Sequence, residues 1–188
     1  MAKKDKWKMK SWYKIVAPPY FESKEIGETA AADPKLLTNR IIPINYAFFS
    51  GNYTQSSVYT KLRFRIVNVN GEVAETEYIG HRISDAYLKT IVRRRRSVIH
   101  TILDAETKDG KKVRLWFVIL TPKKISTKKQ TDIRNKTVEL IREYLKQKNY
   151  PTLAKEILEE KVQSFLISHL KKINPIARIE VKKLELRK

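Results

Sequence analysis

The chain has 188 residues, of which 41% are hydrophobic, a proportion that is ordinary for a folded protein and argues against global disorder. Lysine and arginine number 40 against 20 acidic residues, which gives a formal net charge of +20. A charge of this size repels itself in a free monomer and therefore indicates a polyanionic partner, nucleic acid first and an anionic membrane surface second.

Two further features exclude classes of protein. The chain has no cysteine, so disulfides and thiolate zinc sites are excluded. No apolar run approaches the roughly 18 residues that span a bilayer, and the lysine-rich start has no apolar segment behind it, unlike a secretory signal. A cytoplasmic protein is therefore predicted.

The first ten residues are predicted to form a basic arm, followed by a single domain over residues 11–188. A segment of like charges stays solvated alone but can follow a phosphate backbone. Trp7 is a candidate for stacking on a base, whereas Trp12 and Tyr13 are expected to start the first strand and face the core. The lysines of the arm are Lys3, Lys4, Lys6, Lys8 and Lys10.

Residues 11–122 are predicted to form a mainly β core. A strand over Ser11–Val16 is followed by a turn or bulge at Ile26–Thr29. Between Tyr59 and Val69, apolar and basic residues alternate, as in a half-buried strand with a basic outer face. The pair Asn70–Gly71 then predicts a hairpin, because both positions of its turn favour a positive φ.

A short internal helix is predicted from Ser84 to about Arg95, with four consecutive arginines in its last turn, where the helix dipole favours cations. A second hairpin follows, with strands over Val98–Thr107 and Lys112–Thr121 around an Asp-Gly turn. Its second strand is apolar on both faces, which predicts a central position in the sheet.

Residues 123–175 are predicted to be helical, and residues 176–188 to form a final strand. A basic linker leads into a helix that ends at Lys148, and Thr152 caps a second long helix. The last strand loses its alternation at Lys182–Lys183, which predicts a bulge or a strand end there. The sequence therefore predicts an α+β fold.

Basic residues are concentrated between residues 84 and 130, where thirteen lysines and arginines face four acids. Arginine binds phosphate oxygens through a planar fork, and four adjacent arginines on a helix would point around its whole circumference. One or two of them are therefore expected to serve the fold. The pattern favours recognition of the shape and backbone of folded RNA. Besides the arm, the predicted RNA-binding residues are Arg93, Arg94, Arg95, Arg96, Lys111, Lys112, Lys123, Lys124, Lys128, Lys129 and Arg134.

Catalytic signatures are weak. No P-loop, dinucleotide-binding glycine pattern or nucleophile elbow is present, and no catalytic residue, cofactor or metal is expected. His100, Asp104 and Glu106 share one face of a predicted strand, which leaves an RNA-processing enzyme as the alternative. The competing interpretation is an ordinary polar face whose acids pair with Arg114 or Lys112. A membrane-surface protein is disfavoured, because the basic residues lie on strands and turns.

An ordered set of short segments also resembles a known family. The segments are Trp12-Tyr13, Ala17-Pro18 with Phe21, Ile26-Gly27-Glu28-Thr29, Asn39-Arg40, a Gly80-His81 turn, Ile91-Val92-Arg93-Arg94, and Thr107-Lys108-Asp109-Gly110 with Arg114-Leu115. Together they are similar to the archaeal and eukaryotic small-subunit ribosomal proteins called S-three-Ae, or eukaryotic-type S-one. The match extends over about residues 7 to 187. Its short ends resemble the archaeal members, and Lys111 departs from the aromatic residue common after Asp-Gly.

The resemblance implies a β-barrel-like core of antiparallel strands with helices. It implies a structural constituent of the small ribosomal subunit, on the platform near the mRNA exit and active in translation. The implied partners are ribosomal RNA and neighbouring platform proteins, with messenger RNA near the exit as a further candidate. No membrane partner and no homo-oligomer are expected.

Overall fold

The computed structural model describes residues 10–187, which form two compact units that meet in sequence between residues 79 and 80. The predicted arm lies outside the described residues, except for Lys10, which is exposed. Lys3, Lys4, Lys6, Lys8 and Trp7 therefore have no structural description here. The prediction of one domain over residues 11–188 stays a prediction.

The first unit is a sheet with two short helices. Its strand order is β2-β1-β5-β4-β3, in which β1 pairs in parallel with β5 and antiparallel with β2. Two 3₁₀ turns, Pro19–Phe21 and Pro34–Leu36, lie between strands. The elements are β1 (Ser11–Val16), β2 (Glu25–Ala31), β3 (Ile41–Asn45), α1 (Tyr46–Ser50), α2 (Gln55–Tyr59), β4 (Thr60–Asn70) and most of β5 (Val73–Ile83).

Alternation along β4 builds the core of the first unit. Leu62, Phe64 and Ile66 are fully buried, as predicted. Phe64 lies 5.8 Å from Phe21 and 5.7 Å from Tyr78, measured between ring centroids. On the outer face, Arg65 pairs with Glu77 of β5 at 2.9 Å, which confirms pairing across the predicted hairpin.

Two local predictions in the first unit were confirmed only in part. Ile26–Thr29 lies inside β2 and is not a turn, but the alternative of a bulge is confirmed, because Ile26 has no partner between the Ile15–Gly27 and Val16–Glu25 pairs. Trp12 is exposed while its neighbour Tyr13 is buried, since successive side chains of a strand point to opposite faces. Only one of the two aromatic residues can therefore face the core.

The second unit begins at Gly80, and its strand order is β5-β8-β7-β6, all antiparallel. Strand β7 is central, as predicted, and its residues from Phe117 to Leu120 are all buried. The elements are the end of β5, α3 (Asp85–Ile91), β6 (Val98–Glu106), β7 (Lys112–Leu120), α4 (Thr127–Gln147), α5 (Tyr150–Leu158), α6 (Lys161–Leu170) and β8 (Arg178–Leu186).

Close backbone approach explains one glycine of the second unit. Gly80 has a φ of +139° and pairs with Glu185 in β8. A Cβ placed on Gly80 would lie 1.9 Å from the carbonyl oxygen of Leu184. Gly80 and His81 are thus strand residues rather than the expected turn, and glycine is required because the two backbones lie too close for a side chain.

The α+β class is confirmed, with two corrections and one further confirmation. Within residues 10–187, the strands of each unit form an open sheet and not a barrel, because β2, β3 and β6 each pair on one side only. The predicted helix from Thr152 is two helices, broken at Glu160, whose φ is +59°. The predicted bulge is confirmed at Lys182, which has no partner between the Trp116–Lys183 and Phe117–Val181 pairs.

Membrane insertion through a helix has no support in this part of the chain. Across residues 10–187, none of the helices combines the length and the apolar character needed to cross a bilayer.

Candidate nucleic-acid interface

The β6–β7 hairpin determines where the predicted RNA-binding residues lie. Its register pairs Val98 with Leu120 at one end and Glu106 with Lys112 at the other. Each strand has nine residues, so the two ends are separated by about 26 Å at roughly 3.3 Å per residue. The four arginines precede β6 at the first end, and the Asp-Gly turn with Lys111 lies at the second. The arginines therefore adjoin the hairpin at the end opposite its Asp-Gly turn, whereas the sequence grouped them with Lys111 and Lys112 as one set of RNA-binding residues.

The four arginines occupy a loop rather than a helical turn. Helix α3 ends at Ile91, and Val92 is already extended, with a ψ of 127°. Arg95 has a φ of +62°, which turns the chain back toward β6. Continuing the helix would have placed a β-branched valine and a run of like charges in its last turn, both of which are unfavourable. All four arginines are exposed, so the expectation that one or two serve the fold was also wrong.

A buried pair of hydroxyl residues anchors this loop. The backbone N–H of Ser97 donates to Thr121 Oγ1 at 3.1 Å, and the backbone N–H of Thr121 donates to the Ser97 carbonyl at 3.1 Å. The Ser97 hydroxyl accepts from the backbone N–H of Ile125 at 3.0 Å, while Thr121 Oγ1 donates to the Lys123 carbonyl at 2.7 Å. The end of the arginine loop and the segment after β7 are therefore joined.

Lysines continue the basic surface across this joint. Lys123 and Lys124 lie in the anchored segment, and Lys128 and Lys129 lie in the first turn of α4; all four are exposed. The first turn of α4 has no acidic residue and Ser126 makes no side-chain cap. The helix dipole therefore adds to the positive potential of these lysines instead of opposing it.

The eight cations at this end have no carboxylate partner within residues 10–187. We call them the arginine surface, and the structure brings them together as the sequence suggested. The four acids of residues 84–130 are engaged elsewhere: Asp85 with Arg82 and Lys182, Asp104 with Arg114, Glu106 with Lys112, and Asp109 with the backbone N–H of Tyr150. The members of the arginine surface are Arg93, Arg94, Arg95, Arg96, Lys123, Lys124, Lys128 and Lys129.

The other predicted residues do not join the arginine surface. Lys111 Nζ lies 5.1 Å from the ring centroid of Tyr150, and Lys112 Nζ lies 3.7 Å from Glu106. Arg134 is half-buried two turns along α4. Ser97 and Thr121, which position the surface, were missed by sequence reasoning, because hydroxyl residues at strand ends are common and their pairing depends on a register 24 residues apart.

The geometry of the polar face of β6 argues against an acid–base site. Asp104 lies four residues from His100 along the strand, which is about 13 Å. The side-chain hydrogen bond from Arg114 holds the pKa of Asp104 below its usual value. Burial, with the nearby charges of Lys182 and Arg134, lowers the pKa of His100. Asp104 is therefore a paired carboxylate and His100 a distant neutral imidazole at pH 7.

Glu106, the third residue of this face, does not complete an acid–base site with His100. It lies about 20 Å from His100 at the spacing of a strand, and it pairs with Lys112. In residues 10–187 no cluster of three or more histidine, aspartate or glutamate residues suits a metal ion. The face is thus an ordinary polar surface with ion pairs across the hairpin, the competing interpretation of the sequence.

Comparison with known proteins agrees with the resemblance in sequence. The small ribosomal subunit protein eS1 of Picrophilus torridus is 36% identical over 183 residues, which are 97% of this chain and 87% of that protein. The eS1 protein of Methanobrevibacter smithii is 37% identical over 178 residues, 95% of this chain and 91% of that protein. The eS1 protein of Methanocaldococcus jannaschii is 36% identical over 183 residues, with 97% and 82% covered. The Ribosomal S3Ae family matches residues 1–188 in full, and the chain belongs to that family.

Proposed function

We propose that this chain is a non-catalytic structural constituent of the small ribosomal subunit, which acts in translation and binds ribosomal RNA through the arginine surface. One observation carries the RNA-binding part of the proposal. Eight exposed cations are held at one end of a hairpin, and no carboxylate of residues 10–187 pairs with them. A phosphate backbone supplies the missing counter-charge.

The arrangement favours contact with the backbone over reading of bases. The cations lie in a loop and a helix start, and no aromatic side chain is interleaved among them in sequence. Arginine forks bind phosphate oxygens in pairs, and the lysines add point charges. Such contacts set position and orientation on a folded RNA and carry little sequence information.

The resemblance to the family supports a proposal for the location within the particle. We infer a place on the platform of the small subunit near the mRNA exit, in the cytoplasmic ribosome. Ribosomal RNA and neighbouring platform proteins are the partners, and messenger RNA near the exit is a further one. The relatives are named as small ribosomal subunit proteins, which supports the proposal that this chain belongs to the small subunit.

Salt titration tests the binding. If all eight cations neutralise phosphates, the logarithm of affinity for small-subunit RNA should fall with the logarithm of salt with a slope of about 6. Replacing Arg94 and Arg95 by alanine should lower that slope by about 1.5, since each lost phosphate contact removes about 0.7–0.9. Binding is measured by filter retention between low and moderate salt. A flat titration, or an unchanged slope in the double variant, would refute the proposal.

A matched control is available on the same unit. Arg142 and Lys146 are exposed on the later turns of α4, away from the arginine surface in sequence. Their replacement by alanine removes the same charge from the chain. The slope should change by less than half as much as in the Arg94/Arg95 variant, which separates local contact from net charge.

A further inference from the structure

One segment of this highly charged chain carries no charge at all. The 20 residues from 41 to 60 contain no lysine, arginine, aspartate, glutamate or histidine, although 32% of the chain is charged. No other stretch without lysine, arginine, aspartate or glutamate exceeds nine residues. The segment also holds five aromatic residues. This composition resembles the centre of a protein interface, where charge is depleted and aromatic residues are enriched.

The segment has a fixed local structure in the first unit. It comprises β3, α1 and α2. The Asn45 side chain caps α1 by accepting from the backbone N–H of Ala47, and it donates to the Val58 carbonyl at 2.9 Å. The buried Ser57 hydroxyl lies 2.6 Å from the Asn52 carbonyl. These bonds tie the two helices to each other and to the loop between them.

Large apolar side chains are nevertheless exposed on it. Tyr53 is 75% exposed and Phe48 is 63% exposed, and Val58 and Tyr59 are exposed to a lesser degree. We call these four residues the aromatic surface. Aromatic side chains lose little conformational entropy on binding because they have only two χ angles, and the hydrogen bonds of the segment hold the backbone that carries them.

We propose that the aromatic surface docks a protein partner whose contact patch is apolar at its centre and acidic at its rim. No cation within residues 41–60 can neutralise phosphate, so RNA is a poor occupant. Lys24, whose ammonium donates to the Phe49 carbonyl at 2.6 Å, and Lys61, next to α2, border the surface with positive charge. A second copy of this chain would bring the same lysines and a charge of +20 against them. The inference deepens the proposed function, because the partner is expected to be another protein of the particle.

Binding to two kinds of small-subunit particle tests the proposal. Phe48→Asp with Tyr53→Asp should leave affinity for protein-free small-subunit RNA unchanged. Affinity for particles reconstituted with all other proteins of the subunit should fall about 30-fold or more, as for aromatic interface anchors. Leu36→Asp, at another exposed apolar residue of the same unit, is the matched control and should bind both as the unchanged chain does. Thermal melts confirm that each variant folds.

Each alternative has its own result. Loss of affinity for protein-free RNA in the aspartate variant would identify RNA as the occupant and overturn the proposal. Unchanged affinity for the protein-containing particle would overturn it as well. A dimer of the free chain in sedimentation, abolished by the variant, would assign the surface to self-association instead. Failure of the proposed function has a different signature, since Arg94→Glu with Arg95→Glu would then bind RNA normally.

A crosslink from the surface identifies the occupant in place. Benzoylphenylalanine at position 53, in chain assembled into the particle, should yield an adduct with one other ribosomal protein. The adduct peptide should be apolar, with acidic residues beside it. An adduct with RNA, or a peptide rich in basic residues, would contradict the proposed partner chemistry.

Discussion

The two ends of the β6–β7 hairpin are both rich in basic residues, but they present them differently. At the arginine end, eight exposed cations have no carboxylate partner within residues 10–187. At the Asp-Gly end, Lys112 pairs with Glu106, Lys111 lies against the ring of Tyr150, and Lys148 pairs with Glu156 at 2.6 Å. A count of basic residues therefore overestimates the number of cations that the fold leaves without a partner. Charges already satisfied by the fold contribute less to a partner.

Charge reversal at each end should give the largest contrast. Arg94→Glu with Arg95→Glu is expected to lower affinity for small-subunit RNA about 100-fold near physiological salt, because two phosphate contacts become repulsive. Lys111→Glu with Lys112→Glu changes the net charge equally, and should lower affinity about 10-fold or less. Incorporation into small subunits, measured by quantitative mass spectrometry, should fall only for the arginine variant.

The circular dichroism spectrum controls for folding in both variants. The four arginines make no hydrogen bond or ion pair with other residues of the described chain, so the arginine variant should keep the normal spectrum. Equal losses of affinity at the two ends would show that net charge governs binding. Normal incorporation of the arginine variant would remove the distinction between the ends altogether.

Loosening the anchor of the arginine loop should have the next largest effect. Thr121→Val leaves the buried backbone N–H of Ser97 without its acceptor, which should lower the free energy of unfolding by about 1–3 kcal/mol. Affinity for RNA should fall by about 3- to 10-fold, since the freed loop must be ordered on binding. Urea denaturation and filter binding measure the two effects.

Thr137→Val is the matched control for the anchor. Thr137 is also fully buried, but its hydroxyl donates to the Ile133 carbonyl of the same helix, which has helical partners of its own. Its loss should change stability by about 0.5 kcal/mol or less and leave affinity for RNA unaltered. An equal drop in RNA affinity for both variants would mean that stability, and not loop order, controls binding.

Most elements of the fold were predictable because their signals are local. The Asn-Gly and Asp-Gly turns, the alternation of β4 and the apolar run of β7 each depend on neighbours in sequence, and the structure confirms all of them. The end of α3 was not predictable in the same way. The left-handed turn at Arg95 and the Ser97–Thr121 hydrogen bonds return the chain to β6, and no pattern within the arginine run indicates either of them. The break at Glu160 was also not predictable, because the left-handed residue there is a glutamate and not the glycine that usually indicates such a position.

The candidate site was predictable in composition but not in arrangement. The sequence identified the arginines and the lysines after β7, and it indicated a rigid support. It grouped Lys111 and Lys112 with them, although the strand register places these lysines at the opposite end. Distances of this kind follow from the length of the paired strands, and the partners of each cation follow from side-chain contacts. Neither can be read from charge content.

Acid should lower the stability of the fold through a buried histidine, without changing affinity for RNA at the arginine end. His81 is buried in β5, where burial lowers its pKa to about 4, opposed by a hydrogen bond with the Val181 carbonyl. A histidine with a lowered folded pKa stabilises fully above its unfolded value of about 6.5, and this stability is lost as the pH falls toward 4. Up to about 3 kcal/mol should be lost over that range. Burial raises the pKa of Glu180, which acts in the opposite direction and favours folding in acid.

Variants of the two histidines test this assignment. Urea denaturation at pH 7, 6, 5 and 4 should show a flatter stability profile for His81→Gln than for the unchanged chain. His100→Gln, on the outer face of β6, should keep most of the dependence. Affinity for RNA at the arginine end should stay constant from pH 8 to pH 6, because no histidine belongs to the arginine surface. An unchanged profile in His81→Gln would assign the pH dependence to other groups.

Removing the ion-pair partner of a lysine at the Asp-Gly end should change affinity for RNA least of all the variants. The change should be a rise, whereas the other variants lower the affinity. Glu106→Gln removes the carboxylate that pairs with Lys112, and both side chains are largely exposed. Exposed pairs contribute little to stability, so the urea midpoint should not change measurably. Affinity for RNA should rise about 2-fold if the freed lysine gains a phosphate contact.

Glu159→Gln, which frees the exposed Lys161 after α5, is the control for net charge. A rise confined to the Glu106 variant would show that ion pairing within the fold, rather than position alone, withholds the Asp-Gly end from RNA. Equal rises in both variants would leave long-range charge as the sufficient cause.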